Sequence, residues 1–166
     1  MKSKINLVLI LLFLISLSSF SQTKTPELKW YNFNEGIKLS SKQNKKLLVD
    51  VYTDWCTWCK KMDSNVYSNE SVQSYLNKNF VVVKLNAEGN SKVNFMDSTF
   101  SAAEFSQGMG VTGYPATLFF TDKGAPITLL PGYVEAPMFL NVLKYIGESK
   151  YEKESFDSFV KSTSKN

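Results

Sequence analysis

The sequence predicts an α/β fold, a central mixed β-sheet flanked by helices, and two observations carry that reading. Leu47-Leu48-Val49-Asp50-Val51-Tyr52 and Phe80 to Leu85 are apolar, β-branched runs with helical stretches between them, as in a β-α-β unit whose strands are buried on both faces. Downstream, Ala116 to Thr121 and Ile127 to Leu130 flank Asp122-Lys123-Gly124, a good hairpin turn, so the second half of the sheet is antiparallel. The 166 residues suit one domain with a sizeable core rather than two.

Taken in order, Met1-Lys2-Ser3-Lys4 is a short basic region and Ile5 to Leu17 an apolar run of 13 residues, shorter than the ~20 that span a bilayer. Ser19-Phe20-Ser21 offers small residues where a signal peptidase reads, so 1–21 is expected to be a cleaved secretory signal peptide and 22–166 the mature domain. The competing reading of the leader is an uncleaved membrane anchor. Thr23 to Leu28 is a polar lead-in, and Asn34 to Asn44 reads as a short helix. Thr57 to Val66 and Asn69 to Asn77 are the helical stretches between the two buried strands.

Ala87 to Phe105 looks like an elaborated segment, either a surface loop with a helix over Ser98 to Gln107 or a partner-specific wall beside the site. Ala136 to Ile146 carries Pro137 in its first turn, Phe139, Leu140, Leu143 and Ile146 on one face, and Gly147 at the stop. The core therefore runs from about 47 to 147. A charged helical tail over 150–162 follows, with Tyr151, Phe156, Phe159 and Val160 as a docking stripe.

The composition, 43% hydrophobic and 20% charged, is that of a globular protein. The cations are all lysine, for the chain contains neither Arg nor His. That excludes Ser-His and Cys-His catalytic pairs, imidazole metal ligands and bidentate guanidinium recognition of phosphate or guanine. The formal charge of +4 falls to +2 once Lys2 and Lys4 leave with the leader, which leaves no basic patch for nucleic acid.

Cys56 and Cys59 are the only cysteines, and Trp55-Cys56-Thr57-Trp58-Cys59-Lys60 lies at a strand-to-helix junction. There the first turn of a helix presents unpaired N–H groups and a positive potential that favour a thiolate on Cys56. Two intervening residues keep the sulfurs close enough to make or break a bond with little backbone movement. Zinc would need two further ligands and haem attachment a His after Cys59, and neither is present. Reversible redox chemistry is the main reading and a structural disulfide the alternative, although so short a loop gains little from cross-linking. No metal and no cofactor beyond a redox-active Cys56–Cys59 pair is expected.

With these residues in place, the sequence resembles the thioredoxin family. Leu48-Val49-Asp50-Val51 leads into Asp54-Trp55-Cys56, Val83-Lys84-Leu85-Asn86 is similar to the family's next core strand, Gly110-Val111-Thr112-Gly113-Tyr114-Pro115 to its cis-proline segment, and Gly132 precedes the last helix. Extracytoplasmic members, such as the C-terminal domain of the transmembrane reductase DsbD, look closer than cytosolic thioredoxin. The chain departs from the pattern at Trp58, where thioredoxins have Pro and strong oxidants or isomerases have His. Without that His the balance tilts toward a reductant or a weakly oxidising carrier.

The resemblance implies a thioredoxin fold with Cys56 as attacking thiolate and more exposed cysteine, Cys59 as resolving thiol, and Asp50 as proton acceptor for Cys59. The rival role for Asp50 is a structural carboxylate paired with Lys84, and Lys84 in turn could occupy an edge or outward position. A cis bond before Pro115 would expose the backbone of Tyr114 to an extended substrate, with Trp55, Trp58 and Tyr114 as its apolar rim. Trp55 has the competing role of packing under the helix start. The expected protein is a monomeric thiol–disulfide oxidoreductase, periplasmic or secreted, which reduces disulfide-containing proteins with electrons from a separate thiol donor. It touches a membrane only if the leader is retained. The alternative is a binding or chaperone-like module with a static disulfide.

Overall fold

The computed structural model describes residues 25–163, so the leader expected over 1–21 lies outside the described residues. In chain order the elements are β1 (Trp30–Tyr31), α1 (Phe33–Gln43), β2 (Lys46–Tyr52), α2 (Thr57–Met62), a π-helical turn (Asp63–Tyr67), α3 (Glu70–Asn79), β3 (Phe80–Asn86), β4 (Lys92–Phe95), β5 (Ser98–Ser101), α4 (Ala102–Gly108), β6 (Ala116–Phe120), β7 (Pro126–Pro131), α5 (Ala136–Gly147), a 3-10 turn (Lys150–Glu152) and α6 (Phe156–Thr163). Five strands form one sheet in the order β1-β3-β2-β6-β7. β1, β3 and β2 are parallel, whereas β6 runs antiparallel to β2 and β7 antiparallel to β6. This is the mixed sheet that the two buried runs and the hairpin turn predict.

β2 is central, and its alternation divides the core in two. Leu47, Val49 and Val51 face one layer with Phe33 of α1, Phe105 of α4 and Val93 of the β4–β5 hairpin. Leu48 faces the other, with Met62 of α2, Val66 and Tyr67 of the π-helical turn, Leu76 of α3, and Phe139 and Leu143 of α5. All four of these β2 side chains are fully buried, as expected for a strand covered on both faces. Asp50, at the same parity as Leu48, therefore belongs to the layer that holds α2.

Gly36 brings α1 against the sheet. A Cβ there would stand 2.2 Å from Val83 Cγ2, so the helix packs at a distance only glycine allows. Gly147, the last residue of α5, is glycine for a related reason: a Cβ would meet the Tyr75 hydroxyl at 2.7 Å, and its φ is not in the left-handed region that a helix-stop glycine usually occupies.

The structure corrects several expectations. Ser98 to Ser101 is a strand, because Thr99 and Phe100 pair with Asn94 and Val93, and the helix starts only at Ala102. Ser101 is its N-cap, in a reciprocal capping box with Glu104. Asn34 of α1 ties the hairpin down, donating to Lys92 O and accepting from Asn94 N–H, each at 2.8 Å. The helix expected over Thr57 to Val66 is α-helical only to Met62 before it widens into the π-helical turn. In the tail, Phe156 and Phe159 pack on Tyr145 with ring centroids 5.3 and 5.5 Å apart, which accounts for the apolar stripe.

Candidate active site

β2 ends at Tyr52, and the chain turns through Thr53-Asp54-Trp55 with Cys56 N–H donating to Thr53 O at 3.2 Å. Cys56 is the N-cap of α2 in an extended conformation, and its Sγ accepts a hydrogen bond from Cys59 N–H at 3.0 Å. Orphan N–H groups of a first helical turn are usually satisfied by Ser, Thr, Asp or Asn oxygens. Here a sulfur takes that place, and its charged form is the better acceptor. Cys56 and Cys59 form a disulfide with Cα atoms 5.3 Å apart.

One expectation about this pair is corrected: Cys56 is not the more exposed cysteine. Both are 3% exposed. The two sulfurs differ instead in position, Cys56 at the cap and Cys59 inside the first turn.

The Tyr114–Pro115 peptide is cis and leads directly into β6. Ala116 pairs with Val51, so the start of β6 lies beside the end of β2 from which the disulfide turn departs. Pro115 is buried and its carbonyl accepts from Gly132 N–H at 2.8 Å, which ties this corner to the residue after β7. Tyr114 meets Trp55 edge to face at 6.0 Å.

Trp55 and Trp58 are 64% and 54% exposed, so Trp55 is not packed under the helix start. Each is held at its margin. Trp55 Nε1 donates to Glu88 Oε2 at 2.9 Å, and Glu88 is itself placed by an Asx turn in which its N–H donates to Asn86 Oδ1. Trp58 lies 5.3 Å from Tyr133, and Lys61 Nζ stands over both rings at 4.8 and 5.3 Å. Lys61, itself exposed, thus joins the two rings at the rim.

Beneath the disulfide turn, Asp50 is 1% exposed. Its Oδ2 pairs with Lys84 Nζ at 2.6 Å, and its Oδ1 accepts from the Tyr67 hydroxyl at 3.2 Å. Burial pushes the Asp50 carboxyl above the ordinary value of 3.8, and the Lys84 charge only partly offsets this. Burial pulls the Lys84 ammonium down, but Asp50 and Asp63 outweigh it and the net direction is up. Lys84 is neither outward nor on an edge strand. β3 lies between β1 and β2, and the ammonium sits 4.9, 5.1 and 5.3 Å from the rings of Trp30, Tyr52 and Tyr67.

Sequence reasoning did not find Glu88, Asp63, Tyr67 or Tyr133. Asp63 alone left a signal, standing one helical turn after Cys59. Among the described residues, no cluster of three or more Cys, Asp or Glu is placed to hold a metal ion.

Residues 33–147 match the family model described as "Thioredoxin-like domain". The chain belongs to the thioredoxin-like family. One relative of this thioredoxin-like domain is a "Thiol:disulfide interchange protein DsbD" from Actinobacillus pleuropneumoniae, 32% identical over 111 residues that make up 66% of this chain and 18% of that protein. The chain thus spans only about a fifth of the length of that relative. Among solved structures, a candidate disulphide isomerase from Bacteroides thetaiotaomicron superposes with a TM-score of 0.61 at 28% identity, covering 81% of this chain and all of that one. A thioredoxin-fold protein from Helicobacter pylori gives 0.66 at 20% identity, over 74% of this chain and 86% of that one, a likeness of fold.

Proposed function

We propose that this thioredoxin-like domain is an extracytoplasmic thiol–disulfide oxidoreductase that reduces disulfides of partner proteins. The observation that carries the reading is the cysteine pair itself: Cys56 Sγ caps α2 and accepts the Cys59 N–H, a geometry that favours a thiolate on Cys56 once the disulfide is opened. In the reduced protein, the Cys56 thiolate attacks one sulfur of a substrate disulfide, forms a mixed disulfide and releases the other substrate sulfur as a thiolate. Asp50 takes the proton of Cys59, whose thiolate then attacks Cys56 Sγ. The bond from Cys56 Sγ to the second substrate sulfur breaks as Cys56–Cys59 closes, that sulfur leaves as a thiolate, and two electrons have passed to the substrate. A separate thiol donor reopens the pair.

Trp55, Trp58 and Tyr114 form the rim against which an extended substrate segment lies, beside Pro115. The direction follows from Trp58, since no imidazole adjoins Cys59 to stabilise the thiolate form and raise the oxidising power. The location follows from the leader expected over 1–21. Among the described residues, no helix is long and apolar enough to cross a membrane.

The alternative, a static-disulfide binding module, has one observation in its favour, the low exposure of both cysteines. Equilibration with glutathione buffers separates the two. An exchange protein reaches a defined thiol/disulfide ratio quickly and turns over an oxidised protein substrate, whereas a disulfide that resists mild reductant and a protein without turnover would overturn the proposal.

A further inference from the structure

The two tryptophans beside the disulfide are held by opposite charges. In the sheet order β1-β3-β2-β6-β7, Glu88 follows the end of β3 and Tyr133 the end of β7, so the two residues flank the turn after β2 from opposite sides. On the β3 side the Glu88 carboxylate accepts the Trp55 indole N–H. On the β7 side the Lys61 ammonium lies 4.8 Å from the Trp58 ring centre and 5.3 Å from that of Tyr133. Lys61 stands two residues after Cys59 on α2, is exposed, and has no ion-pair partner among the described residues. Glu135 lies at the Tyr133 hydroxyl and makes no ion pair with that ammonium. An exposed lysine usually gains little from a carboxylate, because its long side chain must first be ordered. Here two ring faces already order it, and that cost is reduced.

We propose that Lys61 is a specificity-determining residue: it selects partner disulfides whose segment carries an aspartate or glutamate where the chain passes over Trp58, and it disfavours segments with a cation there. The inference rests on the reading of the domain as an exchange protein and deepens it by naming the charge of the substrate. A carboxylate arriving over Trp58 meets an ammonium that is already held in place and has no carboxylate of its own, whereas an incoming lysine meets a like charge. The bonds made and broken are those of exchange itself: Cys56 Sγ bonds to one substrate sulfur as the other leaves as a thiolate. The selection acts on the encounter before that step, so it falls on the second-order rate constant for attack and leaves the resolving step to Cys59.

Peptide disulfides of known charge give the test. The reduced protein is mixed with homodimeric disulfides of an acetylated, amidated alanine pentapeptide with a central cysteine. One position, two residues before or two residues after that cysteine, is Asp, Asn or Lys, and stopped-flow fluorescence of Trp55 and Trp58 gives the second-order rate constants. At low ionic strength the series whose variable residue passes over Trp58 reacts in the order Asp, Asn, Lys, with about two- to fivefold between successive peptides. Salt at about 0.5 M compresses the order. Lys61→Gln abolishes it and Lys61→Glu inverts it. Lys123→Gln removes the same charge from the exposed turn between β6 and β7, at the other end of β6, and keeps the order. Each comparison is a ratio of peptides attacked by one thiolate, so a change in the acidity of Cys56 cancels. Equal rates for the three peptides in both series, or an order that survives Lys61→Gln, overturns the inference while exchange stands. A reduced protein that exchanges with none of the peptides overturns the exchange reading and this inference with it.

Discussion

The indole N–H of Trp55, the residue before Cys56, donates to the carboxylate of Glu88 at 2.9 Å and so links the disulfide turn to the loop after β3. An exposed tryptophan held in one orientation loses less side-chain freedom when a substrate lies on it. Glu88→Ala frees the ring, and KM for a protein disulfide should rise about two- to tenfold, the worth of one hydrogen bond. The kcat, and the rate with a small disulfide that does not reach the rim, stay unchanged. Glu88→Gln keeps an acceptor oxygen and restores KM. An unchanged KM in Glu88→Ala would remove Trp55 orientation from substrate binding.

The positional difference between the two sulfurs predicts asymmetric trapping. Only Cys59 can attack the mixed disulfide from within, so Cys59→Ser accumulates covalent adducts with partner proteins and Cys56→Ser does not. Non-reducing electrophoresis reads this as reducible higher-mass bands. Equal trapping by both variants would refute the assigned roles.

Asp50 predicts a coupled effect on rate and stability. Asp50→Asn should slow the resolving step on the order of 10- to 100-fold near neutral pH and flatten its pH profile, because the amide cannot take the Cys59 proton. Stability should move the other way. The folded carboxyl lies above its ordinary 3.8, so its contribution is present below that value and is lost as pH rises through the folded value. Across that window the parent loses up to about 1.4 kcal/mol per pH unit from this group, and Asp50→Asn lacks the loss. Denaturant melts of the oxidised proteins at a series of pH values check it. Parallel curves for parent and variant would show that Asp50 is not held above its ordinary value.

Gly36 tests the packing of α1 on the sheet. In an open helix interior, Gly→Ala gains roughly 1 kcal/mol from propensity. Here the added methyl falls 2.2 Å from Val83 Cγ2 and 3.3 Å from Leu47 Cδ1, so overpacking of about 1–3 kcal/mol outweighs the gain. Gly36→Ala should unfold at lower denaturant concentration than the parent. An increase in stability would mean that α1 can move away from β3 at little cost.

The buried strands, the hairpin, the Pro137 helix and the cysteine pair at a strand-to-helix junction were legible in the sequence. Each depends on residues close together in the chain: an unbroken apolar run, a turn triplet, a first-turn proline, two cysteines three positions apart. The cis bond at Tyr114–Pro115 was expected from the family resemblance alone, since local composition does not distinguish it. Other features have no local signature. β1 is two residues long and is a strand only because Trp30 and Tyr31 pair with Val82 and Val83 of β3. Ser98 to Ser101 has the composition of a helix start and becomes a strand because β4 lies beside it.

By itself, then, the sequence determined the α/β class, the position and spacing of Cys56 and Cys59, the buried acid on β2 and the absence of imidazole and guanidinium chemistry. Tertiary structure decided what surrounds them. Glu88 reaches Trp55 across 33 positions and Lys84 reaches Asp50 across 34, and nothing in the residues between encodes either contact. Whether Lys84 neutralises Asp50, faces solvent or is divided between two acids depends on the sheet register that sets Asp50 against Lys84 and on the π-helical turn that carries Asp63 over them. Periodicity reports which face of a strand or helix is apolar; it says nothing of which charge on a neighbouring element that face will meet.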